Sequence, residues 1–95
     1  MKLVTVEAVF PAADVDRAAA LFRAQADTVR AMDGCEGYAL YRAEGAPGTV
    51  GIIQRWTSMA AFDAYRSSPT FAELGRGLGP LMSAPPVTTV ADVRS

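Results

Sequence analysis

Thr49-Val-Gly-Ile-Ile-Gln-Arg-Trp56-Thr-Ser-Met-Ala-Ala-Phe62-Asp-Ala-Tyr65 decides the fold, because its hydrophobic period changes in the middle. Its first eight residues are β-branched and apolar on both sides until Gln54, which predicts a strand over 49–56 that needs cover on both faces. Thr57 or Ser58 then offers a side-chain oxygen to a helix start, and Met59, Phe62 and Tyr65 recur at helical spacing.

Upstream, Glu44-Gly-Ala-Pro-Gly48 is a loop of turn residues, and Gly37–Ala43 before it reads as the hairpin's other strand, with Tyr38, Leu40 and Arg42 opposite Ala39 and Tyr41. Val15, Ala18, Phe22, Ala26 and Val29 form the stripe of an amphipathic helix that ends near residue 32, where Asp33-Gly34 follows. Asp14 is its expected cap, and Arg23–Asp27 its expected i,i+4 ion pair. Residues 2–10 read as a central strand, with Val4, Val6, Ala8 and Phe10 on one face and Leu3, Thr5, Glu7 and Val9 on the other; Pro11 stops it.

Downstream, Pro69 restarts a helix at its first position, with Phe71, Leu74, Leu78 and Leu81 as its stripe. Gly75, Gly77 and Gly79 each cost about 1 kcal/mol relative to alanine, so its end is expected to be irregular. Val87–Val93 is the last strand. The order strand, helix, strand, strand, helix, strand predicts an α+β, ferredoxin-like βαββαβ domain over residues 1–95 with a four-stranded antiparallel sheet.

Ninety-five residues suffice for one domain, which buries roughly 64% of the surface its unfolded chain exposes. With 51% apolar and 20% charged residues the chain is globular, and a net charge of −1 gives no cationic surplus for nucleic acid. No run approaches the length of a membrane span, no signal peptide opens the chain, and a single cysteine, Cys35, excludes an internal disulfide. The expectation is a cytoplasmic protein with no nucleic-acid or membrane partner. Two helices cover one sheet face only and leave roughly 400 Å² of the other. Leu3, Thr5, Val9 and the apolar third strand lie there, so a homodimer packed sheet against sheet is expected.

Glu7 is the only charge inside the apolar first strand. In a dry cavity it would be a general base; the commoner fate is pairing with Arg55 or Arg42. Trp56 is either a core aromatic or a pocket wall with an N–H donor, and Phe62 with Tyr65 is either packing or pocket lining. Arg66 and Arg76 are either solvated or hold an anion. With no histidine and one thiol, neither a Cys–His nucleophile nor a metal centre is expected.

Asp33-Gly-Cys-Glu-Gly-Tyr-Ala-Leu-Tyr-Arg42, Gln54-Arg-Trp-Thr-Ser-Met-Ala-Ala-Phe-Asp-Ala-Tyr65 and Ser68-Pro-Thr-Phe-Ala-Glu-Leu74 resemble the antibiotic biosynthesis monooxygenase family over nearly the whole chain. The resemblance implies a dimeric α+β barrel with a cavity between sheet and helices in each subunit. It also implies oxygenation of an aromatic quinol or anthrone-like substrate by O2 without metal or flavin. Trp56 matches the tryptophan of such members. Their helical tyrosine falls at Phe62, their strand asparagine at Ile52, and their arginine at Gly75, beside Arg76; many carry histidine at Tyr65. The haem-degrading branch is excluded, since its proximal histidine falls at Gly75 and its first-strand asparagine at Glu7. The expected site is thus Trp56, Tyr65 and Glu7 as the reacting set, with Phe62, Phe71 and Arg76 against the substrate and no cofactor. The alternative is a non-catalytic homodimer that binds a small hydrophobic molecule.

Overall fold

The computed structural model describes residues 1–93. β1 (Lys2–Val9) leads through a 3-10 turn (Ala12–Asp14) into α1 (Val15–Arg30). The hairpin β2 (Cys35–Arg42) and β3 (Thr49–Trp56) follows, then α2 (Met59–Arg66), α3 (Pro69–Leu78), a second 3-10 turn (Gly79–Leu81) and β4 (Val87–Asp92). The sheet order is β2-β3-β1-β4 with every neighbouring pair antiparallel, which is the predicted ferredoxin-like arrangement.

The register fixes which residues share a face. Val4 lies opposite Gln54, which lies opposite Tyr38, and Val6 opposite Ile52, which lies opposite Leu40. This is the face the helices cover: Val4, Val50, Ile52 and Trp56 are buried there with Val29 of α1 and Phe62 of α2. Burying such side chains is worth about 1.5–3 kcal/mol each, which holds helices and sheet together. The other face carries Leu3, Thr5, Glu7 and Val9 of β1 and Ile53 and Arg55 of β3. Among the described residues no helix covers it, so Val9 and Ile53 stay exposed, and Val87 at its edge is 65% exposed. On this face Tyr41, Gly51 and Glu7 stand in one row across three strands. A Cβ on Gly51 would fall 2.0 Å from the Tyr41 ring, so the ring lies over the bare backbone of β3 and its hydroxyl reaches Glu7 on β1.

Local details depart from the sequence reading at several points. Asp14 makes no side-chain cap; its backbone is already helical, because the 3-10 turn runs directly into α1. Asp27 pairs with Arg30 at 3.1 Å rather than with Arg23. The second strand begins at Cys35, since a bulge between Cys35 and Gly37 lets it pair with Trp56 before the regular register starts. Gly34 (φ 82°) makes the preceding turn and is irreplaceable for a second reason: a Cβ there would meet Ala61 Cβ at 2.5 Å. The second helical region is two helices, as the restart at Pro69 predicts. Ser58 caps α2 by accepting from the Ala61 N–H at 3.2 Å. Ser68 Oγ donates to the Tyr65 carbonyl at 2.6 Å and accepts from the Phe71 N–H at 3.2 Å, closing α2 and opening α3. The glycine-rich end of α3 tightens into the 3-10 turn, as its propensity predicts.

Candidate active site

Trp56 ends β3 wholly buried, and its indole N–H donates to Gln54 Oε1 at 2.9 Å. Residues i and i+2 of a strand share a face, so β3 itself brings the two side chains together. α2 lays Tyr65 over the indole in a stack (centroids 5.3 Å, interplanar angle 20°) and places Phe62 at 6.2 Å. Phe71 of α3 meets Tyr65 edge-on at 5.3 Å and 81°, a favoured geometry for two π-systems.

In front of this cluster lies a cavity of about 120 Å³ between sheet and helices. β1 and β3 give it a floor of Val6, Ala8, Ile52 and Gln54, and α1 and β2 add Phe22 and Tyr38. The remaining walls are Phe62, Tyr65, Leu74 and Leu78 from the later helices. Its exposed members, Arg66, Phe71, Gly75, Pro86 and Thr88, place the mouth between α3 and β4. The Arg66 guanidinium sits 4.6 Å above the Phe62 ring and bonds Asp63 at 2.7 Å, so that cation is already partnered at the rim.

The polar groups inside are few. Burial pushes the Tyr38 phenol far above its ordinary value, with the neighbouring Tyr65 phenol adding to the rise. Burial also raises Tyr65. Both keep their protons at neutral pH. Tyr38 Oη is buried without a hydrogen-bond partner of acceptable geometry among the described residues, although the Tyr65 hydroxyl stands close enough for the two to influence each other's titration. Burial raises the half-buried Cys35 thiol too. Among the described residues no cluster of His, Cys, Asp and Glu has the makings of a metal site.

The residues singled out in the sequence are therefore not all together. Phe62, Tyr65 and Phe71 line the cavity. Trp56 lies one layer behind it, with its only donor committed to Gln54. Arg76 is exposed outside the lining, and Arg66, one helix earlier, holds the rim instead. Glu7 points from the opposite face of the sheet, exposed, where it accepts from Tyr41 Oη at 3.2 Å. The expected Arg55 or Arg42 partner is replaced by this phenol; Arg42 is held by Asp16 at 2.6 Å. Parity is the cause: β1 gives its even residues to the helices and its odd ones to the open side. Gln54 and Tyr38 were not foreseen as site residues. Gln54 had a signal, being the one polar residue of β3 on the face of Ile52 and Trp56.

The profile of the family described as "Antibiotic biosynthesis monooxygenase" matches residues 2–76. The Mycobacterium tuberculosis protein named "Putative monooxygenase Rv0793" is 34% identical over 71 residues, 75% of this chain and 69% of that protein. Its solved structure superposes with a TM-score of 0.90 at 26% identity, covering 99% of this chain and 95% of the other. A solved structure from Caulobacter crescentus CB15 gives 0.93 at 24% identity, over 99% of this chain and 90% of that one. One from Deinococcus radiodurans gives 0.92 at 19%, over 100% and 94%; at these identities the last two establish the fold. With the matched profile spanning most of the sequence and the fold shared end to end, the chain belongs to the antibiotic biosynthesis monooxygenase family.

Proposed function

We propose that the protein is a monooxygenase acting on a single-ring hydroquinone bound in the cavity between sheet and helices. Family membership supports the reaction type, and the observation that selects the substrate is the cavity itself: about 120 Å³, apolar, and walled by Phe62, Tyr65 and Phe71. An apolar cavity of about 150 Å³ accepts benzene. The space is of that order, so it favours one ring over the three of an anthrone.

A hydroquinone supplies all the electrons the reaction needs. Its ionised form passes an electron to O2, oxygen adds at a ring carbon, and the ring leaves as a hydroxyquinone. One oxygen atom replaces a ring hydrogen and the other departs as water, so no external reductant enters. The protein contributes a dry site that holds ring and O2 together and donors aimed at the ring oxygens. Tyr65 is the phenol nearest the aromatic wall and serves as a donor, since burial keeps its proton on. Glu7 is not the base of this reaction, because the sheet stands between its carboxylate and the cavity. Among the described residues no carboxylate lines the cavity, so in this reading the substrate ionises without a protein base and the rate follows the hydroquinone's pKa.

That missing base also favours a second reading, a protein that binds a small aromatic molecule without turning it over. Oxygen uptake by metal-stripped protein against substituted hydroquinones, with mass analysis of the product, separates the two. Protein-dependent uptake yielding a hydroxyquinone supports the oxygenase; quenching of Trp56 emission by the same compounds with no product supports binding alone.

We further propose that the open sheet face docks on a second copy of the chain, burying Leu3, Val9, Ile53 and Val87 together with the Tyr41–Glu7 pair. The face spans roughly 400 Å² by strand spacing and rise, and its exposed Val9, Ile53 and Val87 form the kind of apolar patch that marks an interface. A monomer by light scattering at micromolar concentration removes this part of the proposal and leaves the cavity untouched.

A further inference from the structure

Trp56 and Gln54 form a unit whose two ends are chemically different. The indole N–H only donates, so the carboxamide that meets it must present its oxygen. The amide nitrogen is thereby turned away from Trp56. Gln54 is 3% exposed and forms part of the cavity floor, and among the described residues its two N–H groups meet no acceptor. Gln54 lines the cavity, so a donor pair without a protein partner is free there to meet an acceptor on a ligand.

We propose that Gln54 Nε2 is the ligand-orienting donor of this cavity, bonding an acceptor oxygen on the bound ring, and that Trp56 is a positioning residue that holds the amide in the donating orientation. This rests on the cavity being the binding site and deepens the reading above. It assigns to Gln54 the contact expected of the tryptophan, whose N–H is spent within the protein. It also defines the ligand: one ring with an acceptor oxygen at the end nearest β3, as a quinol, its anion or a quinone offers.

Two probes of similar size test it in binding, independently of turnover: benzaldehyde, whose oxygen only accepts, and toluene, which offers none. Wild-type protein is expected to bind benzaldehyde more tightly. Gln54→Met keeps the volume and removes the donor; it lowers benzaldehyde affinity about tenfold, the worth of one hydrogen bond, and leaves toluene within about twofold. Gln54→Glu, assayed at a pH that ionises its carboxyl, still accepts from Trp56 but carries no donor, so it loses benzaldehyde affinity as well while keeping a hydrogen-bonded indole proton resonance. Trp56→Phe frees the amide to rotate and lowers benzaldehyde selectively, whereas a merely structural role for the indole would weaken both probes alike. The proposal is overturned if both Gln54 variants, shown folded by circular dichroism, bind benzaldehyde as the wild type does, or if neither probe binds the wild type, in which case the cavity reading falls with it. An intact affinity pattern without oxygen uptake removes the oxygenase alone.

Discussion

Val6 and Glu7 are neighbours in β1 and belong to two different proteins in effect. Val6 faces helices and forms the cavity floor; Glu7 faces outward and is bonded to a tyrosine two strands away. The helix-side face is dense, aromatic and nearly without charge, with its one buried amide tied to the tryptophan. The open face mixes Val9, Ile53 and Val87 with Glu7 and Arg55, and its relief is set by Tyr41 lying over Gly51. The contrast teaches that a carboxylate's chemistry in a strand is decided first by parity: one residue of shift moves it from a dry pocket to the open face of the sheet.

The largest test of that contrast is a pair of truncations on β3. Trp56→Ala removes a fully buried side chain stacked on Tyr65 and is expected to cost about 3–5 kcal/mol by denaturant unfolding. Ile53→Ala, three residues earlier on the open face, should cost under about 1 kcal/mol within a monomer and show its effect on self-association instead. Equal costs would mean that the open face is as tightly packed as the covered one.

Titration gives the next effect. Tyr38 and Tyr65 both have phenols raised above the ordinary value of about 10, chiefly by burial, so the folded state holds protons that the unfolded chain releases. Stability is therefore intact below about pH 10 and falls as pH rises through the folded values. Tyr38→Phe should flatten that alkaline decline in thermal melts. At neutral pH it should be neutral or slightly stabilising, because the hydroxyl it removes has no proper partner.

Gly51→Val brings a smaller change confined to the open side. The atoms a Cβ would meet are the far end of the Tyr41 ring, which can swing aside, so monomer stability should shift by about 1 kcal/mol or less while self-association weakens. Smallest of all is Glu7→Gln. It should leave ligand affinity and turnover unchanged and lower the Tyr41 phenol pKa, which burial and then Glu7 now hold up, as followed by ultraviolet absorbance against pH. A loss of turnover in this variant would restore Glu7 to the site.

Much of this architecture was legible in the residues. The change of period after Trp56, the Ser58 cap and proline at the first position of α3 predicted the elements around the site. Phe62, Tyr65 and Phe71 line the cavity, Phe62 and Tyr65 through the helical spacing that turns them to the sheet. Gln54 and the orientation of Glu7 were harder. The alternation of β1 separated Val6 from Glu7, yet nothing local says which alternate set the helices cover. The Tyr41–Gly51–Glu7 row depends on register between three strands, which a single chain's pattern does not state. Trp56 carries two readings in the sequence, core aromatic or pocket wall with an N–H donor, and its burial with a partner two residues away on the same face fits the first.

Ser68 gives the cavity a mechanical property. One hydroxyl joins the Tyr65 carbonyl in the last turn of α2 to the Phe71 amide in the first turn of α3. Four groups of the cavity wall, Phe71, Leu74, Gly75 and Leu78, ride on α3 beyond that joint. A tilt of α3 about Ser68 would carry all four together against the walls given by the sheet, α1 and α2.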